Sequence, residues 1–314
     1  MIVLSAGYFT NGVEWLGYRW GLGDGVSGSL LAALGTALPE TLVPLMAFVL
    51  AKAPHEEAIG LGAILGAPFM LSTLGFAVIG LGVYWSRGHK AGLRDLTQAT
   101  VSDLRFYLAA FGIAVVAAFL PASWHPFIGV ALVFGYGAHA WRLVRQGHTL
   151  ESDPPSQGLH LSRAPNPRIF LILSQVGLAL CGLIIGAHFF VVALSQVTGW
   201  IRVSGFLVSV IVTPLATELP EVLNSVIWLR RHKDSLAVGN VTGALAFQAS
   251  LVPALGLWLT PWHFSLWETG TALLAWLAGC WSLARARDGV LEARELLAPG
   301  LLYLLFIGLV VAVL

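Results

Sequence analysis

An all-α membrane protein of ten transmembrane helices, arranged as two inverted five-helix repeats, is the fold this sequence predicts. Three observations predict it. The 314-residue chain is 57% hydrophobic and only 11% charged, against roughly 25% charged in an ordinary soluble domain. Apolar stretches of about 20 residues, the length that crosses a bilayer, recur along the whole chain. One motif that is costly in a membrane occurs twice: Gly35-Thr36-Ala37-Leu38-Pro39-Glu40 and Ala216-Thr217-Glu218-Leu219-Pro220-Glu221.

The spans follow in order. They cover 1–18, 27–51, 58–84, 104–120 and 124–143, then 168–196, 200–229, 235–259, 265–283 and 296–314. The N-terminus has no basic n-region or obvious cleavage site, so residues 1–18 read as the first span and not as a removed signal peptide. The count is tested by charge. Loops 1–2, 3–4, 5–6, 7–8 and 9–10 hold Arg19; Arg87, Lys90, Arg94 and Arg105; Arg142, Arg145, Arg163 and Arg168; Arg230, Arg231 and Lys233; and Arg285, Arg287 and Arg294. The opposite loops hold only Lys52 and Arg202. The positive-inside rule makes the first group cytoplasmic and both termini extracytoplasmic, in a multi-pass protein of the plasma or inner membrane. Trp20, Trp85, Trp124, Trp141, Trp200 and Trp262 fall near span ends, where interfacial anchors are expected.

A Pro-rich polar segment, 147–167, reads as a cytoplasmic linker. It divides the chain into a first repeat, 1–146, and a second, 168–314. Five spans per half is an odd number, so the second half starts on the opposite side and the halves are inverted. Inverted repeats with interrupted spans point to a secondary transporter whose site lies near the midplane.

The repeated motif supplies the chemistry. A charge at the centre of a membrane helix costs about 2.5–3.5 kcal/mol on insertion scales, so Glu40, Glu218 and Glu221 are expected to face protein, water or an ion. Pro39 and Pro220 cannot donate to the carbonyls of Gly35 and Ala216. Each helix is expected to kink or unwind there, freeing oxygens beside Thr36 and Thr217. A calcium ion takes about 6–8 hard oxygens, and two facing broken helices can furnish them, with Glu40 and Glu221 as the metal carboxylates. The small-residue pairs Gly62/Gly66 and Gly239/Gly243 imply close packing, of span 3 on span 2 and of span 8 on span 7.

The motif at 35–40 followed by 62–71, and that at 216–221 followed by 239–248, resemble the two α-repeats of the calcium/cation antiporter superfamily, the sodium/calcium exchangers. Their usual pattern is close to G-T-S-L-P-E and then G-N-x-x-G-S-N-x-x-N/D. The resemblance implies a sodium/calcium exchanger-like fold and a monomeric antiporter exchanging calcium or a related cation for sodium or protons by alternating access. The ion would lie between spans 2 and 7, with spans 1 and 6, long and apolar, sliding across the core. It also implies ligand roles for Thr36, Glu40, Thr217 and Glu221, with Gln248 at the pattern's Asn/Asp position. The chain departs from the pattern at Ala37, Ala63, Ala67 and Leu71, which lack the expected oxygens, and at Glu218, an added carboxylate. Sodium coordination should weaken accordingly. Clustered carboxylates in low dielectric favour a proton on one of them, most simply Glu218 or Glu221. Proton coupling, a different cation, or a merely wet cavity around Glu218 remain open readings.

Other residues carry less. Gly35, Ala216, Asn224, Asn240 and Glu14 are candidates to line the pathway, with Ser225 and Ser250 beside them; Glu14 is placed to pair with Asn11. His139 and His188 read as packed or interfacial histidines, and Cys181 and Cys280 as small buried hydrophobes. A net charge of +1 without a basic patch excludes nucleic acid as a partner. The absence of HExxH and GxSxG disfavours an enzyme. No cofactor beyond the transported cation and its counter-ion is implied. A passive channel and a degenerate ion-sensing member remain as alternatives.

The loop assignment is testable. In a chain with Cys181 and Cys280 replaced, Lys52→Cys and Arg202→Cys are expected to react with an impermeant thiol reagent from outside the cell. Arg230→Cys should react only after the membrane is opened; the reverse pattern would invert the topology.

Overall fold

The structure is a computed structural model. It describes residues 1–20, 32–50, 54–88, 92–93, 98–146, 157–162, 164, 166–201, 203–230, 234–287 and 290–313. Within helices, the side chains of 32–37, 54–55, 98, 144, 146, 201, 219–221, 224, 235–236 and 313 are outside that description.

Helices form along the apolar stretches because a chain without water must close its backbone hydrogen bonds within each segment. The first half holds α1 (Ile2–Arg19), α2 (Ala32–Leu50), α3 (Pro54–Met70), a π-helical turn (Leu71–Gly75), α4 (Phe76–Arg87), α5 (Gln98–Ala117) and α6 (His125–Gln146). The second holds α7 (Ile169–Ile201), α8 (Gly205–Thr217), α9 (Leu219–Arg230), α10 (Asp234–Gln248), α11 (Leu251–Leu259), α12 (Leu266–Ala286) and α13 (Ala293–Val313). Among the described residues, five helical runs are long and apolar enough to cross a membrane: 56–87, 99–117, 169–200, 237–259 and 293–312. Span 1 does not fit its description as long: α1 has 18 residues, whereas α7 has 33.

Helix ends follow local chemistry. Gly88, at φ 91°, stops α4 in a conformation that L side chains rarely adopt. Ser265 and Glu268 form a reciprocal capping box that starts α12. The helix interruptions cluster where prolines remove a donor. Span 7 breaks at Glu218, two residues before Pro220; span 8 breaks at Ala249–Ser250, ahead of Pro253. Span 3 takes its π-helical turn a few residues after Pro68. The expected break at Pro39 is absent: α2 runs through both Pro39 and Pro44 as one helix.

Spans 2, 3, 7 and 8 pack together at the centre, with α3 lying along α8 as the most extensive pairing. Gly62 and Gly66 make it possible. A Cβ at Gly62 would lie 2.7 Å from the Phe206 carbonyl oxygen, and one at Gly66 would lie 2.6 Å from that of Val210. Ser209 on α8 donates across this seam to the Ile59 carbonyl, 2.7 Å away. The glycine pair therefore joins span 3 to the first half of span 7, far along the chain, and not to span 2 as the sequence suggested. α2 meets α3 instead where Gly60 accommodates the Phe48 ring. Gly239 and Gly243 meet nothing within 4 Å among the described residues; the side chains of 219–221 and 224 on span 7, which that seam would involve, lie outside them.

α1 and α7 run antiparallel as a pair, with Gly12 against Val176 and Gly182 against Ser5. The pair leans on α2 through Phe9, Val13, Val43, Ala47, Leu183 and Ala187. The linker is more than a tether. Asn11 donates to the Gly158 carbonyl at 3.3 Å and accepts from the His160 amide at 3.1 Å. Gln175 donates to Asn11 at 2.9 Å and accepts from the Leu161 amide at 2.9 Å. The Asn11 amide is thus committed to the linker and to α7, away from the partnership with Glu14 considered above.

The connections sort onto two faces. Strands β1 (Gly92–Leu93) and β2 (Leu291–Glu292) pair antiparallel, tying loop 3–4 to loop 9–10. Arg87 donates two hydrogen bonds to the Asp234 carboxylate, each at 2.7 Å, and a third to the Leu229 carbonyl, tying the end of α4 to loop 7–8. On another face, the Trp262 indole donates to the Ala114 carbonyl and that of Trp258 to the Pro126 carbonyl, joining loops 8–9 and 4–5. This grouping of the described loops agrees with the one that charge suggested. Trp20, Trp85, Trp124, Trp141 and Trp200 are exposed, but Trp262 is buried against Gly256 and Phe264, a core residue and not an anchor. Cys181 is likewise exposed on α7 and Cys280 half-buried, so neither is the buried hydrophobe expected.

The α3–α8 seam predicts an asymmetric glycine response. Gly66→Ala should destabilise the protein by about 1–3 kcal/mol because backbone must move. Gly177→Ala, where nothing lies within 4 Å among the described residues, should be neutral or stabilising by up to about 1 kcal/mol. Unfolding in detergent compares them; equal effects would mean that the seam is looser than described.

Candidate functional site

The site is built on the interruption of span 7. Glu218 sits between α8 and α9 with helical dihedrals, φ −89° and ψ −16°. Its amide still donates to the Pro214 carbonyl and its carbonyl still accepts from Val222. The helix is thus nicked, not unwound, because Pro220 removes the one bond that would have reached Ala216. The Glu218 side chain is fully buried. A buried carboxylate without a partner is prohibitively costly, and here Gln248, itself buried at the end of α10, donates its Nε2 to Oε1 at 2.6 Å. Two residues singled out from sequence, far apart in the chain, are in direct contact.

The remaining ligand candidates divide. Glu40 is buried on α2, a helix packed against α10 and α11. Thr217 is buried beside Glu218, its hydroxyl donating to the Thr213 carbonyl at 3.2 Å. Asn240 donates to Ser225 Oγ at 3.2 Å, tying α10 to α9. Gly35 and Thr36 lie in α2, and Glu221 and Asn224 in α9, with side chains outside the described residues. Ala216 is half-buried and lines an apolar groove of about 860 Å³ with Gly186, Phe189 and Leu223. Glu14 is half-buried on α1. Among the described residues no three His, Cys, Asp or Glu side chains converge as a metal cluster; Glu221 is not among those residues.

The first repeat offers little oxygen at the positions that depart from the family pattern. Ala63, Ala67 and Leu71 are all buried, Ala63 with Val43 and Ile59 and Leu71 within the main apolar core. What sequence reasoning missed is the pair Ser72 and Thr73. Both are buried in the π-helical turn and donate to the Phe69 carbonyl. Ser250 does the equivalent in span 8, donating to the Ala246 carbonyl at 2.7 Å. The signal was available as hydroxyls just after Pro68 and just before Pro253, where loosened backbone exposes carbonyls.

The pattern of the family described as "Sodium/calcium exchanger protein" matches residues 1–144 and 171–312. This chain belongs to that family. The same fold is seen in the H+/Ca2+ exchanger CAX, 16% identical, with a TM-score of 0.75 over 98% of this chain and 78% of that one. Native YfkE is 17% identical, with a TM-score of 0.68 over 97% and 88% of the two chains. The sodium-calcium exchanger NCX_Mj, soaked with 100 mM Na+ and 10 mM Sr2+, is 19% identical, with a TM-score of 0.63 over 97% and 93%. No curated protein matches the chain. At these identities the likeness establishes the exchanger fold, in which the chain is an integral, multi-pass membrane protein. The family is one of secondary transporters.

The Gln248–Glu218 bond makes a stability prediction. Gln248→Met leaves a buried carboxylate oxygen without its amide donor and should cost about 1–3 kcal/mol. Glu218→Gln added to that background should recover part of the loss, read as coupling in a double-mutant cycle. Strict additivity would show that the bond contributes nothing.

Proposed function

We propose that this protein is a secondary active antiporter that exports calcium, or a related cation, in exchange for protons or sodium by alternating access. Its only small-molecule partners on this reading are inorganic cations, it needs no cofactor, it works as a monomer, and both termini face out. The ten helical stretches would form two inverted repeats, divided at the 147–167 linker. The observation that carries the reading is Glu218, a fully buried carboxylate at the nick in span 7, gripped by Gln248 of span 8. Buried acidic groups inside membrane helices are expensive and mark ion pathways. Glu40 on span 2 and Glu221 on span 7 supply the pseudo-symmetric pair of carboxylates, and Glu218, opposite Ala37, is the third.

On this reading the cation lies between span 2 and span 7, with Glu40 and Glu221 as its charged ligands and Thr36 and Thr217 adding hydroxyls. α2, unbroken, would offer side-chain oxygens, whereas span 7 also offers backbone oxygen at its nick. The antiparallel α1–α7 pair, stapled together through Asn11 and Gln175, would slide as one body.

Proton coupling is favoured over sodium coupling by what surrounds Ala63, Ala67 and Leu71. Ala63 and Leu71 are packed in apolar clusters, Ala67 is buried, and none of the three side chains carries an oxygen for a sodium ion.

The reading is checked in proteoliposomes. Calcium flux should follow an imposed proton gradient and should fall by about 100-fold or more in Glu40→Gln and Glu221→Gln, as for loss of a charged ligand. Flux driven only by sodium would remove the proton coupling. Flux unchanged in both variants, or independent of any counter-ion, would remove the site or make the protein a channel.

A further inference from the structure

A third buried acidic group among the described residues, in addition to Glu40 and Glu218, lies outside the proposed cation site. Asp103 on α5 is 4% exposed and His139 on α6 is 7% exposed. The His139 Nε2–H donates to Asp103 Oδ1 at 2.8 Å. Thr242 on α10, fully buried, donates its hydroxyl to the other oxygen, Oδ2, at 3.0 Å. Both carboxylate oxygens are therefore engaged, one by each neighbouring helix. The Phe106 ring stacks on the imidazole, with centroids 4.4 Å apart and planes 10° from parallel. A turn away, Tyr136 of α6 meets Phe247 of α10 edge-on at 5.6 Å.

The helix held by this arrangement is the one that serves the cation site. α10 carries Asn240, bonded to Ser225, and Gln248, bonded to Glu218. At about 100° per residue, Thr242 lies about 160° from the direction midway between Asn240 and Gln248. The carboxylate thus pulls on the back of α10 while its front addresses the site. Apolar packing already holds α10 through Ala237, Val238, Val241, Leu245 and Phe247, and the Thr242–Asp103 bond adds a directional contact on its back. The helix also ends at once after Gln248, in the interruption at Ala249–Ser250. A directional hydrogen bond to a buried charge is the strongest available means of fixing rotation.

We propose that Asp103 and His139 are positioning residues for the cation site. Acting through Thr242, they fix the rotation of α10 and with it the aim of Asn240 and Gln248. The inference rests on the transport reading above for its functional consequence, but not for the geometry of the pin. The α5–α6 hairpin is then a brace for the site and not only a lipid-facing wall.

Thr242→Val, which removes the hydroxyl and keeps the branched shape, is the direct test; Asp103 variants risk failing to fold because they strand His139. In proteoliposomes, Thr242→Val should raise the calcium concentration for half-maximal flux by about 3–10-fold, the range of one lost hydrogen bond. Maximal rate per folded protein should stay within about twofold, as for a change in binding alone. Thr242→Ser should restore wild-type behaviour. Hydrogen exchange at the backbone amides of 239–248 should speed up in Thr242→Val whether or not the protein transports calcium. Unchanged half-saturation with unchanged exchange overturns the proposal, and so does a fall in maximal rate alone. A wild-type protein without calcium flux would overturn the transport reading, leaving exchange to decide whether the pin exists.

Discussion

A carboxylate sealed from water inside a membrane protein must be held by protein groups, and the Gln248–Glu218 bond meets that demand at the centre of this molecule. It joins the nick in span 7 to the last turn of span 8. The consequences spread outward. Span 8 breaks just beyond Gln248, ahead of Pro253, where Ser250 takes up the Ala246 carbonyl. Span 7 must be nicked at Glu218, which Pro220 ensures. Both breaks occur where the helices are covered by protein, the only setting in which irregular backbone survives at membrane depth.

Around this centre the molecule separates rigid from movable parts. α3 and α8 approach until the Gly62 and Gly66 backbones touch Phe206 and Val210, which leaves no room for relative sliding. Arg87 clamps Asp234 and the end of α9 at one face, and Trp262 closes the other against Ala114. The α1–α7 pair differs. Its internal contacts are polar and specific, through Asn11 and Gln175, while its contacts with α2 are apolar and unspecific, the kind of surface that can slip. The linker belongs to the pair, since Gly158, His160 and Leu161 are bonded to it.

Much of this was legible in the chain. Hydropathy and charge placed the helices to within a few residues, because a bilayer accepts few other solutions. The motif pair singled out Glu218 from its cost in a membrane helix, and the family pattern singled out Gln248 from its position. Less legible was anything that depends on which faces meet. Glycine spacing announced close packing but not the partner, and Gly62/Gly66 turned out to face span 7. Tryptophan position announced an interface, yet Trp262 is buried, since an indole also satisfies itself on a carbonyl. Proline announced a break that Pro220 makes and Pro39 does not; a helix tolerates a missing donor when its neighbours hold it straight.

By itself, then, the sequence determined the solvent this protein lives in, the approximate helices, the family pattern and the residues whose burial would need explaining. These are properties of single segments, set by transfer free energy and backbone bonding. Only the tertiary structure decided that Glu218 is gripped by Gln248, that Asp103, His139 and Thr242 converge, and that the two halves of the chain meet at the α3–α8 seam. Those facts depend on helix rotation, which a few directional bonds and a few missing side chains settle, and which no segment encodes alone.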